Sequence, residues 1–482
     1  MAFNSISYLG FLCLVVGLFF ALPQRYKIFW LLGTSYYFYA QWNAFYLIFI
    51  VFSSLLDWFC ALRIETEKSK HPQCKTGRWW LALSLASNLG LLFTFKYLGF
   101  FVQVAEQIAA TMGRPFYAPG LNLLLPVGIS FYTLQTLSAT MDVANGKIKA
   151  EKSPWRFATY VAFFPQLVAG PIERSSVLLP QFYSFSAPQW SNLVSGVQRI
   201  LWGLLKKTVI ADRLASYVQD VLLLQAQPSA SAIFCAAILA NVLIYADFSA
   251  YSDIAIGSAR LMNIHIRENF NFPLFSRSMP DFWKRWHISL HSFFLDYVYY
   301  PLGGSKVNYC RWMLNISAVF ILSGLWHGAA WNFVLWSIYH LSLVLLHIHI
   351  AKLWKYLQWP SWEHPWWTPF RILLVHLQRA LSMILFFVPD IEKALNLMGR
   401  IFTGPWPLKV EHIFPYAMLI NVILVVGFVG LMVVEFLHLR KPWGLRLKEG
   451  SIVMRYFVAI LVVLCIMIFG VETNNPFIYF QF

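Results

Sequence analysis

N-F-N-F-P-L-F-S-R-S-M-P-D-F-W-K-R-W-H-I-S-L-H-S-F-F-L-D-Y-V-Y-Y-P-L-G-G, residues Asn269 to Gly304, is the stretch on which the reading of this chain turns. Pro280 suits the first turn of a helix, and Asp281 places negative charge there. At 3.6 residues per turn, Phe282, Trp283, Trp286, Leu290, Phe293 and Phe294 share one face. Asp281, Lys284, Arg285, Ser289, Ser292 and Asp296 share the other. The spacing predicts a strongly amphipathic helix that lies along a membrane surface rather than crossing it. His287 falls at the edge of the apolar face, four residues from both Trp283 and His291. Pro301-Leu302-Gly303-Gly304 then ends the helix and turns the chain.

The next segment, Trp312 to Ile350, is almost wholly apolar and too long for one simple span. His327 lies inside it, beside Trp326 and among Gly324, Gly328, Ala329 and Ala330. Ionisable residues in membrane segments are costly and usually face an interior cavity. The small neighbours let another backbone or a ligand approach the ring.

Composition sets the class. The 482 residues are 59% hydrophobic, 18% aromatic and 12% charged, with a mean hydropathy of +0.59. Soluble chains carry about 25% charged residues. The apolar runs are continuous rather than alternating, so the chain reads as an all-α, polytopic integral membrane protein. Roughly ten to twelve segments are candidate spans by length. Net charge is +16, which the positive-inside rule explains, with attraction of anionic lipid or an anionic donor as a further role. Nucleic acid is not an expected partner, because the basic residues sit in short loops between spans. The six cysteines form no C-x-x-C pair, and no metal site is expected. No Lys or Arg precedes Arg25, so Ser7 to Leu22 reads as a retained first span.

Along the chain, the loops Arg63 to Arg78, with Lys68, Lys70 and Lys75, and Arg440 to Lys448 read as cytoplasmic. Phe163 to Pro171 is too short to span and is broken by Pro and Gly. It reads as a re-entrant segment or, nearly as well, as a surface turn. Val194 to Leu224, carrying Lys206, Lys207 and Arg213, reads as a long tilted helix or a bent pair. Ala230 to Met262 places Tyr245, Ser249, Ser252 and Asp253 on one face, either to line a cavity or to bond neighbouring helices. No repeat or linker divides the chain. Residues 1–482 read as one membrane domain, with the central chemistry at about 245–350.

Histidine carries the best-supported chemistry. No Walker loop, G-x-G-x-x-G, G-x-S-x-G or H-E-x-x-H motif is present. An imidazole can take a hydroxyl proton near neutral pH while the oxygen attacks an activated acyl group. On pattern alone, a histidine on an apolar helix is more often a structural partner than a catalyst. His287, at an interface, can simply be half solvated, and His291, His340, His347 and His349 read as interfacial or structural. His291 and Asp296 match H-x-x-x-x-D, but residues five apart on a helix diverge by about 140° and would not meet.

At these residues the chain resembles the membrane-bound O-acyltransferase family, in its alginate O-acetyltransferase membrane-subunit branch. The matching motifs are L-P-V-G-I-S-F-Y-T-L-Q (Leu125 to Gln135), F-P-Q-L-V-A-G-P-I (Phe164 to Ile172) and D-F-S-A-Y-S-D-I-A-I-G (Asp247 to Gly257). D-F-W-K-R-W-H-I-S-L, L-S-G-L-W-H-G-A-A-W and the ending P-F-I-Y-F-Q-F complete the set. One departure is F-F-V-P-D at Phe386 to Asp390, where family members often carry F-F-R-A.

The resemblance implies a helical funnel with re-entrant and interfacial amphipathic helices and a reaction centre inside the bilayer. It assigns catalysis to His327 and, with less uniformity, His287. It implies acetyl-CoA as acyl donor with no tightly bound cofactor, and a bacterial inner-membrane location. The expected partners are an extracytoplasmic SGNH-type acetyltransferase and the polysaccharide synthesis machinery. Trp283, Trp286, Trp326, Asn332, Tyr245, Ser249, Lys284 and Arg285 are the candidate substrate contacts. Lys206, Lys207, Lys284 and Arg285 suit either steering of an anionic donor or simple membrane anchoring. The reading is O-acetylation of an exported or cell-wall polysaccharide. Its rivals are D-alanyl transfer to teichoic acid and a transporter or channel using His327 as a proton relay.

Overall fold

In the computed structural model of the protein, residues 1–70, 76–114, 124–225, 227–359, 364–407, 409, 413, 418–440, 452–471 and 477–478 are described. Lys75, the Arg440 to Lys448 loop beyond Arg440, and most of the P-F-I-Y-F-Q-F ending lie outside them. The regular elements among the described residues are all helices, with no strand. Among the described residues, five helices are long and apolar enough to cross a membrane: Ala44–Lys70, Gly77–Thr111, Ala230–Leu261, Trp331–Tyr356 and Pro365–Phe387. Shorter apolar helices cover Ile6–Ala21, Val425–Leu439 and Tyr456–Phe469. Among the described residues, fewer helices are long enough to span than the apolar runs in the sequence suggest. Caps, turns and π-helical interruptions break several runs into short pieces.

The chain divides into two compact units: residues 1–197 with 255–267, and residues 198–254 with 268–482. In the first, α1 (Ile6–Ala21), α2 (Gln24–Ala40), α3 (Leu47–Lys70), α4 (Thr76–Leu92), α5 (Leu98–Thr111), α6 (Ile129–Ala144), α7 (Pro154–Ala162) and α8 (Ser175–Leu178) follow in order. α3 and α4 are joined by a buried polar knot. Asp57 accepts from Ser84 Oγ at 2.6 Å and Asn88 Nδ2 at 2.9 Å, and Ser53 Oγ donates to Asn88 Oδ1 at 2.5 Å. In an apolar surround such bonds fix helix register, because an unmet polar group there costs several kcal/mol, on the order of a lost hydrogen bond or more. Phe163 to Pro171 has no helix of its own, and every residue in it is buried. Gly128, at φ 76°, lets the start of α6 approach it. A Cβ there would lie 2.9 Å from the Leu167 carbonyl oxygen. The segment is irregular backbone enclosed by protein, the arrangement a re-entrant segment requires.

Across the unit boundary run α9 (Trp190–Leu205) and α11 (Ala230–Leu261), with α10 (Asp212–Gln219) between them. π-helical turns at Lys206–Ala211 and Asp220–Leu224 make Trp190 to Leu224 one continuous but irregular helix. In the second unit the order continues with α12 (Met279–Arg285), α13 (Ile288–Phe294), α14 (Tyr309–His327) and α15 (Trp331–Tyr356). It ends with α16 (Thr368–Phe387), α17 (Ile391–Thr403), α18 (Met418–Arg440) and α19 (Ile452–Phe469).

α11 is 78% buried over its most apolar window, against 28% for α15. Protein rather than lipid surrounds most of it, which is how it can carry charge. Lys207 Nζ bridges Asp247 and Asp212 at 2.8 Å each. Lys206 Nζ meets Asp253 at 2.6 Å and donates to Ser249 Oγ at 2.6 Å. Arg199 Nε meets Asp253 at 2.6 Å. Lys206 and Lys207 are therefore buried and ion-paired, and neither stands at an aqueous mouth to steer a donor. Removing one partner of such a buried pair is far costlier than the net worth of the pair.

The long apolar run from Trp312 is two helices, α14 and α15, parted at Gly328 to Ala330 in extended backbone. Gly324 sets their spacing, since a Cβ there would fall 2.6 Å from the Phe333 carbonyl and from Ser337 Cβ. Gly324→Val is expected to cost about 1–3 kcal/mol by overpacking. The measurement is thermal unfolding in detergent, and a midpoint equal to that of the parent protein would contradict this packing.

Candidate active site

The site belongs to the second unit and begins with a break. Ser278 caps α12, its Oγ accepting from Asp281 N at 3.1 Å, and Pro280 stands in the first turn as expected. The sequence pattern calls for one amphipathic helix through Phe294. Instead α12 ends at Arg285, and His287 takes left-handed backbone, φ 44°, before α13 begins. Non-glycine residues rarely adopt this conformation, and it costs about 1–3 kcal/mol.

Asn269 holds the break. Its Oδ1 lies 3.1 Å from His287 Nδ1 and accepts from Ser289 N at 3.2 Å and Ser289 Oγ at 2.8 Å. Its backbone carbonyl accepts from Ile288 N at 2.9 Å. One asparagine thus caps α13 and fixes the imidazole. It lies 18 residues before His287.

The apolar stripe of α12 and α13 packs on protein. Trp283 meets Phe320 at 5.5 Å and Trp336 at 5.8 Å between ring centroids, edge to face. Trp286 stacks on Phe282 at 5.5 Å. His287, only 2% exposed, is fully enclosed rather than half solvated at an interface. Its ring stands edge-on to Phe248 at 4.8 Å and to Trp326 at 5.6 Å.

His327 is the last residue of α14, and it is 3% exposed. Its ring contacts Trp326 and Trp336 at 5.1 Å each and Phe386 at 5.7 Å. Trp326 therefore flanks both histidines. His287 and His327 line one pocket of about 40 Å³, together with Trp283, Trp286, His291 and Ser323. Two imidazoles from different helices thus face the same small space, walled by aromatic rings. Burial, with His327 and His291 nearby, holds the His287 imidazole well below its ordinary 6.5. Burial, with Lys284 nearby, lowers His291 as well. A neutral imidazole is the form that can accept a proton.

The other candidates fall outside this cavity. Asn332 Nδ2 donates to the Leu385 carbonyl at 3.1 Å and ties α15 to α16. Tyr245 donates to Glu435 at 2.6 Å, and Ser249 accepts from Lys206. That face of α11 bonds neighbouring helices, one of the two roles open to it from the sequence. Lys284 is exposed, and Arg285 pairs with Asp281 at 2.8 Å along its own helix. Three further residues matter here, of which the sequence reading gave no site role to Asn269 or Arg379 and read His291 as interfacial or structural. Asn269 positions His287, His291 lines the cavity, and Arg379 is buried in α16. An arginine inside an apolar run was the available signal for the last. Among the described residues, no cluster of His, Cys, Asp or Glu could hold a metal ion.

The chain thus combines apolar helices of spanning length with two imidazoles lining one aromatic pocket, a membrane protein with a candidate active site. The chain belongs to the membrane-bound O-acyltransferase family, whose match covers residues 35–388. It is an acyltransferase and a multi-pass membrane protein. It is 30% identical to "Probable alginate O-acetylase AlgI" of Pseudomonas putida over 502 aligned positions, covering all of both chains. To "Peptidoglycan O-acetyltransferase" of Helicobacter pylori it is 33% identical, over 72% of this chain and 68% of that one. "Teichoic acid D-alanyltransferase" of Bacillus subtilis is 27% identical, over 61% of this chain and 77% of its own.

Two outcomes follow. Asn269→Ala leaves His287 without its anchor, an effect of about 1–3 kcal/mol. Acyl-transfer rate is expected to fall about 5- to 150-fold with little loss of protein. A rate within twofold of the parent would contradict the anchoring role. The second concerns pH. Below 6.5 the unfolded imidazole of His287 takes up a proton that the folded one refuses, so folding stability falls as pH drops below 6.5. His287→Gln is expected to lose less of its unfolding midpoint between about pH 7 and 5 than the parent does, and equal losses would contradict the lowered value.

Proposed function

We propose that this protein takes an acetyl group from a thioester donor on the cytoplasmic side and passes it across the membrane for O-acetylation of an exported or cell-wall polysaccharide. The observation that carries this reading is the shared enclosure of His287 and His327 in one cavity. His327 is the general base. It takes the proton of an attacking hydroxyl as the oxygen adds to the acyl carbon. The carbon–sulfur bond then breaks, and the leaving sulfur takes up the proton as thiol. His287, neutral and fixed by Asn269, polarises or positions one reactant. Such proton transfer contributes typically about 10²–10⁴-fold, and holding the two reactants in line contributes further.

Acetyl-CoA is the donor in this proposal, and no bound cofactor takes part. The small cavity suits a two-carbon acyl group. The full similarity to a protein named as an alginate O-acetylase supports a polysaccharide as final acceptor. A polymer outside the cell needs a second catalyst to finish the transfer, for which an extracytoplasmic SGNH-type acetyltransferase is the proposed partner. The location that fits this division of labour is the bacterial inner membrane.

The test uses the full-length protein in proteoliposomes with acetyl-CoA labelled in its acyl group. Label is expected to move to an added hydroxyl acceptor, and His327→Ala is expected to lower that rate about 10²-fold or more at unchanged unfolding midpoint. Equal transfer in the variant would refute the catalytic role. Ion flux without transfer would instead favour a pore, and transfer only from a D-alanyl thioester would favour the teichoic acid reading.

A further inference from the structure

Two helix faces meet across the pocket. α14 contributes Val319, Phe320, Ser323 and His327, opposite His287 and His291 at the start of α13. On α14 the spacing is i, i+1, i+4 and i+8, a single stripe of the helix, and Ser323 stands in the middle of it. Its side chain therefore projects toward the pocket, with its Cβ about 5–6 Å from that of His327 one turn on. A serine inside an apolar helix commonly returns its hydroxyl to a carbonyl three or four residues back. Ser317, Ser337 and Ser342, the other serines of α14 and α15, all do so, at 2.8, 2.8 and 2.6 Å. The buried Ser323 hydroxyl makes no such bond, and no other group among the described residues takes its proton.

Acyl transfer calls for such a donor. As a hydroxyl oxygen adds to a thioester carbon, negative charge develops on the carbonyl oxygen, and an N–H or O–H aimed at that oxygen lowers the barrier. His287 is not built to supply it. Asn269 Oδ1 accepts from Ser289 N, a group that can only donate, so the atom facing His287 Nδ1 is the amide oxygen and Nδ1 carries the ring proton. The second nitrogen of that neutral ring then bears a lone pair. His327, as the base, must likewise offer a lone pair to the attacking hydroxyl. We propose that Ser323 is a further catalytic residue, whose hydroxyl donates a hydrogen bond to the thioester carbonyl oxygen as charge gathers there. The inference rests on acyl transfer as the reaction of this pocket. The new carbon–oxygen bond forms while the carbonyl π pair moves onto the oxygen beside Ser323. The carbonyl then re-forms, the carbon–sulfur bond breaks, and the proton taken up by His327 passes to sulfur. Ser323 keeps its own proton throughout. One turn of α14 thus carries both contacts, the carbonyl oxygen at Ser323 and the attacking hydroxyl at His327.

The experiment takes the full-length protein in proteoliposomes and measures kcat and KM with acyl-labelled acetyl-CoA and an added hydroxyl acceptor. Ser323→Ala removes one oxygen that no protein group bonds, so its unfolding midpoint is expected to equal that of the parent. Its kcat is expected to fall about 10²–10³-fold, because the lost bond strengthens only as charge develops, with KM for acetyl-CoA changed less than about threefold. Ser323→Thr, which restores the hydroxyl, is expected to recover kcat to within about tenfold of the parent. A parent protein that transfers label while Ser323→Ala keeps kcat within twofold would overturn this inference alone. So would a loss that falls on KM with kcat unchanged, the mark of ordinary substrate packing. No transfer by the parent would instead overturn the acyl-transfer reading, and the role of Ser323 with it.

Discussion

The placing of His287 depends on one contact, the side chain of Asn269 against its ring and the start of α13. His287 occupies a backbone conformation that a β-carbon disfavours. Nothing in the local sequence requires it, so the strain persists only because a fixed polar group outside the helix satisfies the amide and the ring together. The break stops the helix from running straight past the cavity and turns the imidazole into it. Strain held by surrounding structure is a common feature of sites that must keep a reactive group in one orientation.

The other half of the pair is placed by close packing. Gly324 lets α15 approach α14, and Gly328 makes room for the ring of Phe333. His327 is thereby brought to a helix end with Trp326, Trp336 and Phe386 around it. Aromatic walls exclude water and lower the local dielectric, which strengthens every remaining electrostatic contact. The ion pairs of α11 work at greater distance. Lys206, Lys207, Asp247 and Asp253 balance charge in the interior, so the central helix can be polar and still buried.

What could be read from residues alone was what local spacing encodes. Continuous apolar runs fixed the all-helical membrane class, and the small residues around His327 marked a place of close approach. The polar face of α11 was visible, although its two possible roles were not separable without knowing that Lys206 and Glu435 reach it. The break at His287 was invisible for a physical reason. The stripe of aromatics from Phe282 to Phe294 fits one helix, and the group that interrupts it lies 18 residues away along the chain. Lys206 and Lys207 were misleading in the same way, since basic residues beside apolar ones read as membrane-edge anchors until their carboxylate partners are located.

The proposed chemistry requires an acyl donor to reach the pocket between the two imidazoles. The most direct measurement is a structure of the protein bound to a non-hydrolysable acetyl-CoA analogue. The acyl carbon is expected between the rings of His287 and His327, within hydrogen-bonding reach of His327 through at most one intervening atom. An acyl group bound elsewhere, with His327 still sealed behind Trp326 and Trp336, would contradict it.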